Sequence, residues 1–456
     1  MTFDRNHFWP GARNLWLALA LSLGLAGFAS AQPPSIPPPT NPSARTAVQQ
    51  PAEPYSLPPA KLAQAKALGI IRPVIYFGAV FWEILILWLL LATGRATRLA
   101  DWITFRTIFR ISRKWLQALL FSSVLIALLF ISVDLPFGAV SHAFSLHYGI
   151  SIQAWPSWLI DQCKTLGLAL VFETPLLVLV LYLMQWKWSR RNYWFWFACT
   201  VAPLLLLVTF LLPPIIEPMF FEFEPLAKSH PELVHQLERV VARTGTSIPP
   251  DRMFLMKASE KSNGLNAYVT GLGASKRIVV WDTTADRMPA DDILFTFAHE
   301  TGHYVLHHIA KGLTLAAIGT FAFFWAISKF SEWMLRQFGK RWQVDTLASL
   351  PGLVILLLAF ALLQFATEPI ESGTSRYIEH EADVYGQEAI HGLVANPQKT
   401  AVDSFNKLGE AYLDDPDPYP FVVFWTYDHP STQSRARFAE QYDPWAPGST
   451  PRFFPK

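Results

Sequence analysis

Six apolar runs long enough to cross a bilayer, at residues 74–92, 115–133, 166–184, 194–212, 313–330 and 350–366, constrain this chain more than any other feature. A hydrocarbon core offers no water to backbone N–H and C=O groups, so each run must satisfy its own backbone as a helix. Composition agrees, because only 16% of the 456 residues are charged, against about a quarter in soluble proteins. The expected fold class is therefore mainly α: a polytopic helical membrane protein with the lipid bilayer as a partner. A net charge of +2 gives no basic excess that would point to nucleic acid. Cys163 and Cys199 lie in or beside apolar spans, so metal ligands must be sought among His and carboxylates.

Organisation along the chain follows from the spacing of these runs. Residues 1–31 carry Arg5 and Arg13, an apolar stretch at 15–28 and Ala29-Ser30-Ala31, the pattern of an export signal or a first anchor. Residues 32–60 form a Pro-rich linker with hardly any large apolar side chains. Four spans fall in 61–212, a polar block in 213–312, two spans in 313–366 and a second polar block in 367–456. Arg95, Arg98, Arg106, Arg110, Arg113 and Lys114 follow the first span, Lys187, Arg190 and Arg191 the third, and Lys329, Arg336, Lys340 and Arg341 the fifth. By the positive-inside rule these face the cytoplasm, which places both polar blocks on the exported side of a plasma (inner) membrane.

In the first polar block Ser229-x-x-Glu232 has the form of a capping box, opening a helix that ends at Gly245. A strand is expected at 253–258, and a hairpin at 266–270 and 277–281 with a glycine-bearing turn. The strand at 266–270 is the expected free edge, able to pair with a peptide substrate in extended form. Pro289, Asp291 and Asp292 then open a helix, with both carboxylates favourable at its positive end. That helix is expected to run to about residue 310 and almost directly into the fifth span.

The helix carries His299-Glu300-Thr301-Gly302-His303. Histidines four residues apart stand on one helical face, close enough for both imidazoles to reach one Zn²⁺. Glu300 points about 100° away and is free to act on water at the metal. The missing carboxylate ligand comes from Ser375-Arg376-Tyr377-Ile378-Glu379-His380-Glu381-Ala382-Asp383, where Glu379 is the expected third ligand. Asp383, one turn further on, is placed to accept the outer N–H of a ligating histidine.

With these motifs the sequence resembles the zinc metallopeptidases typified by the type I CAAX prenyl endopeptidase and its bacterial relatives. The matching residues are Asn266-Ala-Tyr268, the strand 277–283, His299-Glu-x-Gly-His303 with His308, Ser375-Arg-x-x-Glu379-x-x-Ala-Asp383, and Asp428-His429-Pro430 followed by Arg435. The resemblance implies a zincin-like α+β metallopeptidase domain and one Zn²⁺ per chain held by His299, His303 and Glu379. It further implies Glu300 as general base, His429 and Asn266 as stabilisers of the oxyanion, and Arg435 as a group near the site that pairs with Asp383 or with substrate. His307, His308 and His380 are read as structural.

The family encloses a large chamber, and Glu83 and Glu173, ionisable groups within apolar spans, are expected to line it or to bond between helices. The export signal and the exported polar blocks depart from the cytosolic orientation of the eukaryotic prenyl protease. The function read from the chain is therefore zinc-dependent hydrolysis of membrane or envelope proteins and peptides. A reading of a different class, a non-catalytic transporter or scaffold with a structural metal, is opposed by the complete set of ligands and base.

Overall fold

The computed structural model describes residues 53–105, 114–210, 212–271 and 273–454. The proposed signal, most of the linker, and Arg106, Arg110 and Arg113 lie outside the described residues. The apolar runs all become helices: α1 (Pro59–Ala92), α3 (Lys114–His147) and α4 (Trp155–Gln185) are long and apolar enough to cross a membrane. Between them α2 (Arg95–Phe105) is short. Helix α5 (Tyr193–Phe210) and the segment Pro213–Met219, bent by 54° from each other, are together apolar enough for a broken span or a re-entrant loop. Large apolar side chains on these helices point outward, among them Val74, Phe81 and Val171. Such exposure is disfavoured in water and suits lipid.

After α5 comes a four-stranded sheet of β1 (Phe223–Pro225), β2 (Met253–Met256), β3 (Ala267–Thr270) and β4 (Arg277–Trp281), in the order β1-β2-β4-β3. The expected hairpin is present, with Ala267 opposite Val280 and Thr270 opposite Arg277. Its turn depends on Gly271 at φ +95°, where an added Cβ would lie 2.3 Å from the Ser275 carbonyl oxygen. The expected strand at 253–258 stops at Met256, because Ala258–Glu260 coils into a 3₁₀ turn. Strand β3 forms one edge of the sheet.

Helix α6 (Pro231–Thr244) ends at Gly245 in the left-handed conformation, as its sequence predicts. The capping box does not form. Pro231 occupies the first helical position and makes His230 the N-cap, which leaves Ser229 one residue outside the helix. Helix α7 (Ala290–Val305) follows, with Asp291 and Asp292 in its first turn. It does not run on to residue 310. The chain breaks at Leu306-His307, His307 takes φ +58°, and α8 (His308–Trp342) starts afresh. Left-handed backbone is uncommon outside glycine, although His is among the residues enriched there.

The last spanning helix, α9 (Leu350–Ala389), extends far beyond its apolar run, so one rod carries both membrane and polar-block residues. Helices α10 (Pro397–Tyr412), α11 (Pro420–Thr426) and α12 (Thr432–Gln441) complete the described structure. One core cluster gathers α6, α7, the sheet, the end of α9, α10 and α12. The end of the Pro-rich stretch also belongs to it, contrary to its reading as linker: Tyr55 and Leu57 are buried there, and the Tyr55 hydroxyl donates to the Asp414 carbonyl at 2.8 Å. An aromatic side chain of this size recovers roughly 1.5–3 kcal/mol on burial, enough to pin a short strap.

Contacts sort the connections between spans into two ends. Strap residues 53–57, the start of α1 and residues 149–152 all meet the sheet-bearing domain; Ser151 bridges to Ser262 and the Asn263 N–H donates to the Ile150 carbonyl. At the other end the Thr97 hydroxyl donates to the Gln343 carbonyl and the Gln185 carboxamide to that of Ala348.

Candidate active site

Close helix packing builds the site. On α7 a Cβ at Gly302 would lie 2.9 Å from the Tyr385 ring, and on α9 a Cβ at Gly386 would lie 2.9 Å from the His299 backbone nitrogen. The two helices thus meet where only glycines fit. Asp383 and Glu379 lie one and two turns before Gly386 on the same face, which the crossing presents to His299 and His303.

The result is a buried cluster in which one ligand atom each from His299, His303 and Glu379 lies within 4.8 Å of the others. His299 Nε2 is 3.1 Å from Glu379 Oε2 and 3.3 Å from His303 Nε2. Glu379 is 1% exposed, a depth at which a carboxylate requires a cation or several donors. Two imidazole nitrogens and one carboxylate are the donor set of hydrolytic zinc sites, which keep a fourth position open. Glu300 lies alongside, and its Oε2 is buried with no hydrogen-bond partner among the described residues, as a group reserved for water or substrate would be. The donor set and the orphaned oxygen both fit a catalytic divalent ion.

Burial works against charge on either histidine. On His299 the contacts to Asp383 and Glu379 outweigh it and lift the imidazole to about 9, whereas burial holds His303 well below the usual histidine value. A metal ion held here would have to displace a proton from His299, so its binding would strengthen with rising pH.

Supporting contacts surround the cluster. His299 Nδ1 lies 2.9 Å from Asp383 Oδ1, off the line of a straight hydrogen bond, and Asp383 takes a two-pronged pair from Arg435 at 2.6 and 2.9 Å. Asp383 is 2% exposed. Arg435→Met is expected to lower stability by about 3–5 kcal/mol by stranding that charge. Thermal melts of Arg435→Met, Asp383→Asn and the double variant check this, the double losing less than the sum of the singles.

His429 enters from the loop between α11 and α12, its Nδ1 2.8 Å from Asp428 Oδ1 and its Nε2 3.2 Å from Glu379 Oε2. Burial opposes its charging, but Glu379 and Asp428 outweigh it and hold the imidazole well above its ordinary value. Asn266, one residue before β3, has its backbone fastened by Thr284 and by the Trp281 N–H. It lines the cavity shared with His299, Glu300 and His429. The cavity, about 190 Å³, is closed on one side by Leu68, Arg72 and Tyr76 of α1. Every residue expected at the site is thus brought together. The sequence reading missed the contribution of α1; His308, a motif residue read there as structural, turns its ring back to His303 after the break at His307.

Membrane-length helices closing on a buried His-His-Glu cluster define a membrane metallopeptidase. Residues 56–222 match the CAAX prenyl protease N-terminal family of five membrane helices, and residues 227–443 match peptidase family M48. The chain belongs to the M48 metallopeptidases and is a metalloendopeptidase of the CAAX prenyl protease-like group. It is 34% identical over 391 residues to the uncharacterized metalloprotease YhfN of Bacillus subtilis (strain 168), covering 86% of this chain and 88% of that one. It is 28% identical over 319 residues to CAAX prenyl protease 1 of Saccharomyces cerevisiae, covering 66% and 68%. The crystal structure of S. mikatae Ste24p shares the fold with a TM-score of 0.69 at 22% identity, covering 84% of this chain and 90% of that one.

Proposed function

We propose that this protein is a zinc endopeptidase that cleaves membrane or envelope polypeptides on the exported face of the plasma membrane. The observation that carries it is the convergence of His299, His303 and Glu379 beside the unpartnered Glu300 oxygen. Those three residues hold the zinc, which when bound acidifies water towards neutrality and polarises the scissile carbonyl. Glu300 takes the proton of the attacking water and returns it to the leaving amine. His429, with Nδ1 anchored on Asp428, and Asn266 donate to the carbonyl oxygen as it gains charge. Asp383 and Arg435 keep His299 in position. An extended substrate pairs with the free edge of β3 and lies along the cavity wall that α1 supplies.

Removing zinc from the purified protein with a chelator is expected to abolish peptide cleavage, and one equivalent of zinc per chain to restore it. Cleavage that survives chelation, or a metal content of zero in active protein, contradicts the assignment and favours the scaffold or transporter reading.

The exported-side reading is supported by the two ends of the helix bundle. The strap before α1 and residues 149–152 pack against the zinc domain. The opposite end carries Arg95, Arg98, Lys187, Arg190, Arg191, Arg336, Lys340 and Arg341, the positive charges that remain in the cytoplasm. A substrate on the exported side is not a prenylated cytosolic one. Reporters fused after Lys456 and within 95–105 are expected to read outside and inside respectively, and the reverse pattern would place the site in the cytosol. Glu83 on α1 and Glu173 on α4 would line a shared polar interior between these helices.

A further inference from the structure

His299 and His303 each turn Nε2 towards the ligand cluster, so each leaves Nδ1 to be held by the protein. For His299 the partner is Asp383, backed by Arg435. Among the described residues His303 has no carboxylate in that place. Its Nδ1 lies 3.4 Å from His308 Nδ1, and His308 Nε2 lies 3.3 Å from Glu381 Oε2. The other Glu381 oxygen takes the Arg452 guanidinium and, at 3.4 Å, the Tyr377 hydroxyl.

We propose that His308, Glu381 and Arg452 form a hydrogen-bonded chain that positions His303 for zinc, making the segment 451–454 part of the scaffold of the metal site. This rests on the reading of His303 as a zinc ligand. Donors and acceptors along the chain are consistent from end to end. A zinc-binding His303 is neutral and carries its proton on Nδ1, which it donates to His308 Nδ1. His308 then carries its own proton on Nε2 and donates it to Glu381. Glu381 is left to accept from Arg452. Each tautomer is assigned from these contacts, and no other arrangement satisfies every member.

The geometry is built rather than incidental. His308 is 4% exposed and reaches His303 only because the chain reverses at His307, in left-handed backbone. Had α7 continued as one helix, residues 303 and 308 would have been separated by about 140° around the axis. The far end of the chain is clamped as well. Glu388, fully buried, accepts the backbone N–H groups of Arg452, Phe453 and Phe454 at 2.7, 2.7 and 3.0 Å. Phe453 and Phe454 pack on Tyr385, whose ring faces Gly302 of the zinc helix. The backbone that carries Arg452 is thus fixed against the helix that carries His303, and the guanidinium needs little ordering to reach Glu381.

The test measures zinc affinity by competition with a chelator, and thermal melting of the metal-free protein, in His308→Phe, His308→Gln and Arg452→Met. Phe fills the space without bonding, whereas a Gln carboxamide can accept from His303 and donate to Glu381. His308→Phe is expected to weaken zinc binding about 10–100-fold, as loss of a group that orients a ligand does. His308→Gln is expected to recover most of that loss, and Arg452→Met, with half-exposed charge, to weaken binding about two- to fivefold. Melting of the metal-free form should change little. Wild-type affinity in His308→Phe overturns the proposal, and so does equal weakening in His308→Gln and His308→Phe accompanied by a lower metal-free melting temperature. Should His308→Phe fail to fold, Arg452→Met decides: weaker zinc binding with an unchanged metal-free melt supports the chain, and wild-type affinity overturns it. A His303→Phe control separates the two levels, because zinc binding that survives that change refutes the ligand assignment itself.

Discussion

Glu300→Gln should hold zinc as tightly as the unaltered protein while peptide cleavage falls about 10²–10⁴-fold, the span that a positioned general base contributes. The two side chains have nearly the same volume, and Glu300 is not among the ligand atoms that converge in the buried cluster. Its Oε2 makes no hydrogen bond among the described residues, so the substitution removes the proton acceptor without breaking a hydrogen bond at that oxygen. Zinc analysis and cleavage of a quenched peptide, run on the same preparation, separate the two effects. Retained cleavage with full zinc occupancy would refute the assigned base.

Glu379→Ala is expected to do the opposite and empty the site. The carboxylate is one of the three proposed ligands and is the counter-charge facing both His299 and His429. Without it the cluster contains two imidazoles and no anion in contact with the ion. Zinc affinity should fall by more than the about 10–100-fold that loss of a supporting residue causes. Cleavage should drop to background even in added zinc at concentrations that saturate the parent protein. Stoichiometric zinc in the purified variant, by metal analysis, would show that residue 379 is not a ligand. The pair of variants is informative together, since Glu300→Gln loses chemistry and keeps the metal, whereas Glu379→Ala loses both.

Local rules make much of the fold and of the site legible in the amino-acid sequence. Spanning helices announce themselves by length and apolarity, because the bilayer penalises every unsatisfied backbone group. The β3–β4 hairpin follows from alternation around a glycine turn, and the end of α6 from Gly245. His299 and His303 share a face by helical period alone, and the separation of Glu379 and Asp383 by one turn places both towards a common neighbour. What failed were predictions in which two local rules competed. The box at Ser229 lost to Pro231, which takes the first helical position and moves the cap to His230. The helix through residue 310 lost to a reversal at His307 that no local signal marks.

The linker reading of residues 53–57 lost to burial. Tyr55 stands among prolines and small polar residues, and only the groove left between α10 and α12 gives it a reason to be ordered; Gly409 of α10 and Thr432 of α12 meet there, a Cβ on Gly409 being 2.7 Å from the Tyr55 ring. Likewise Leu68, Arg72 and Tyr76 carry no sign in sequence that they wall the cavity beside Glu300.

By itself, then, the sequence determined a multi-span helical membrane protein, a hairpin, and the residues proposed here as ligands and base, because each depends on neighbours within a few residues or on the solvent around a segment. Tertiary structure alone decided that Gly302 and Gly386 let α7 and α9 approach, that Asp383 meets Arg435, that His308 folds back on His303, and that the strap and α1 join the zinc domain. Most of those contacts join residues dozens to hundreds of positions apart, and the one between His303 and His308 runs against the helical period. Their energies come from close packing and from pairing buried charge, and neither leaves a periodic mark along the chain.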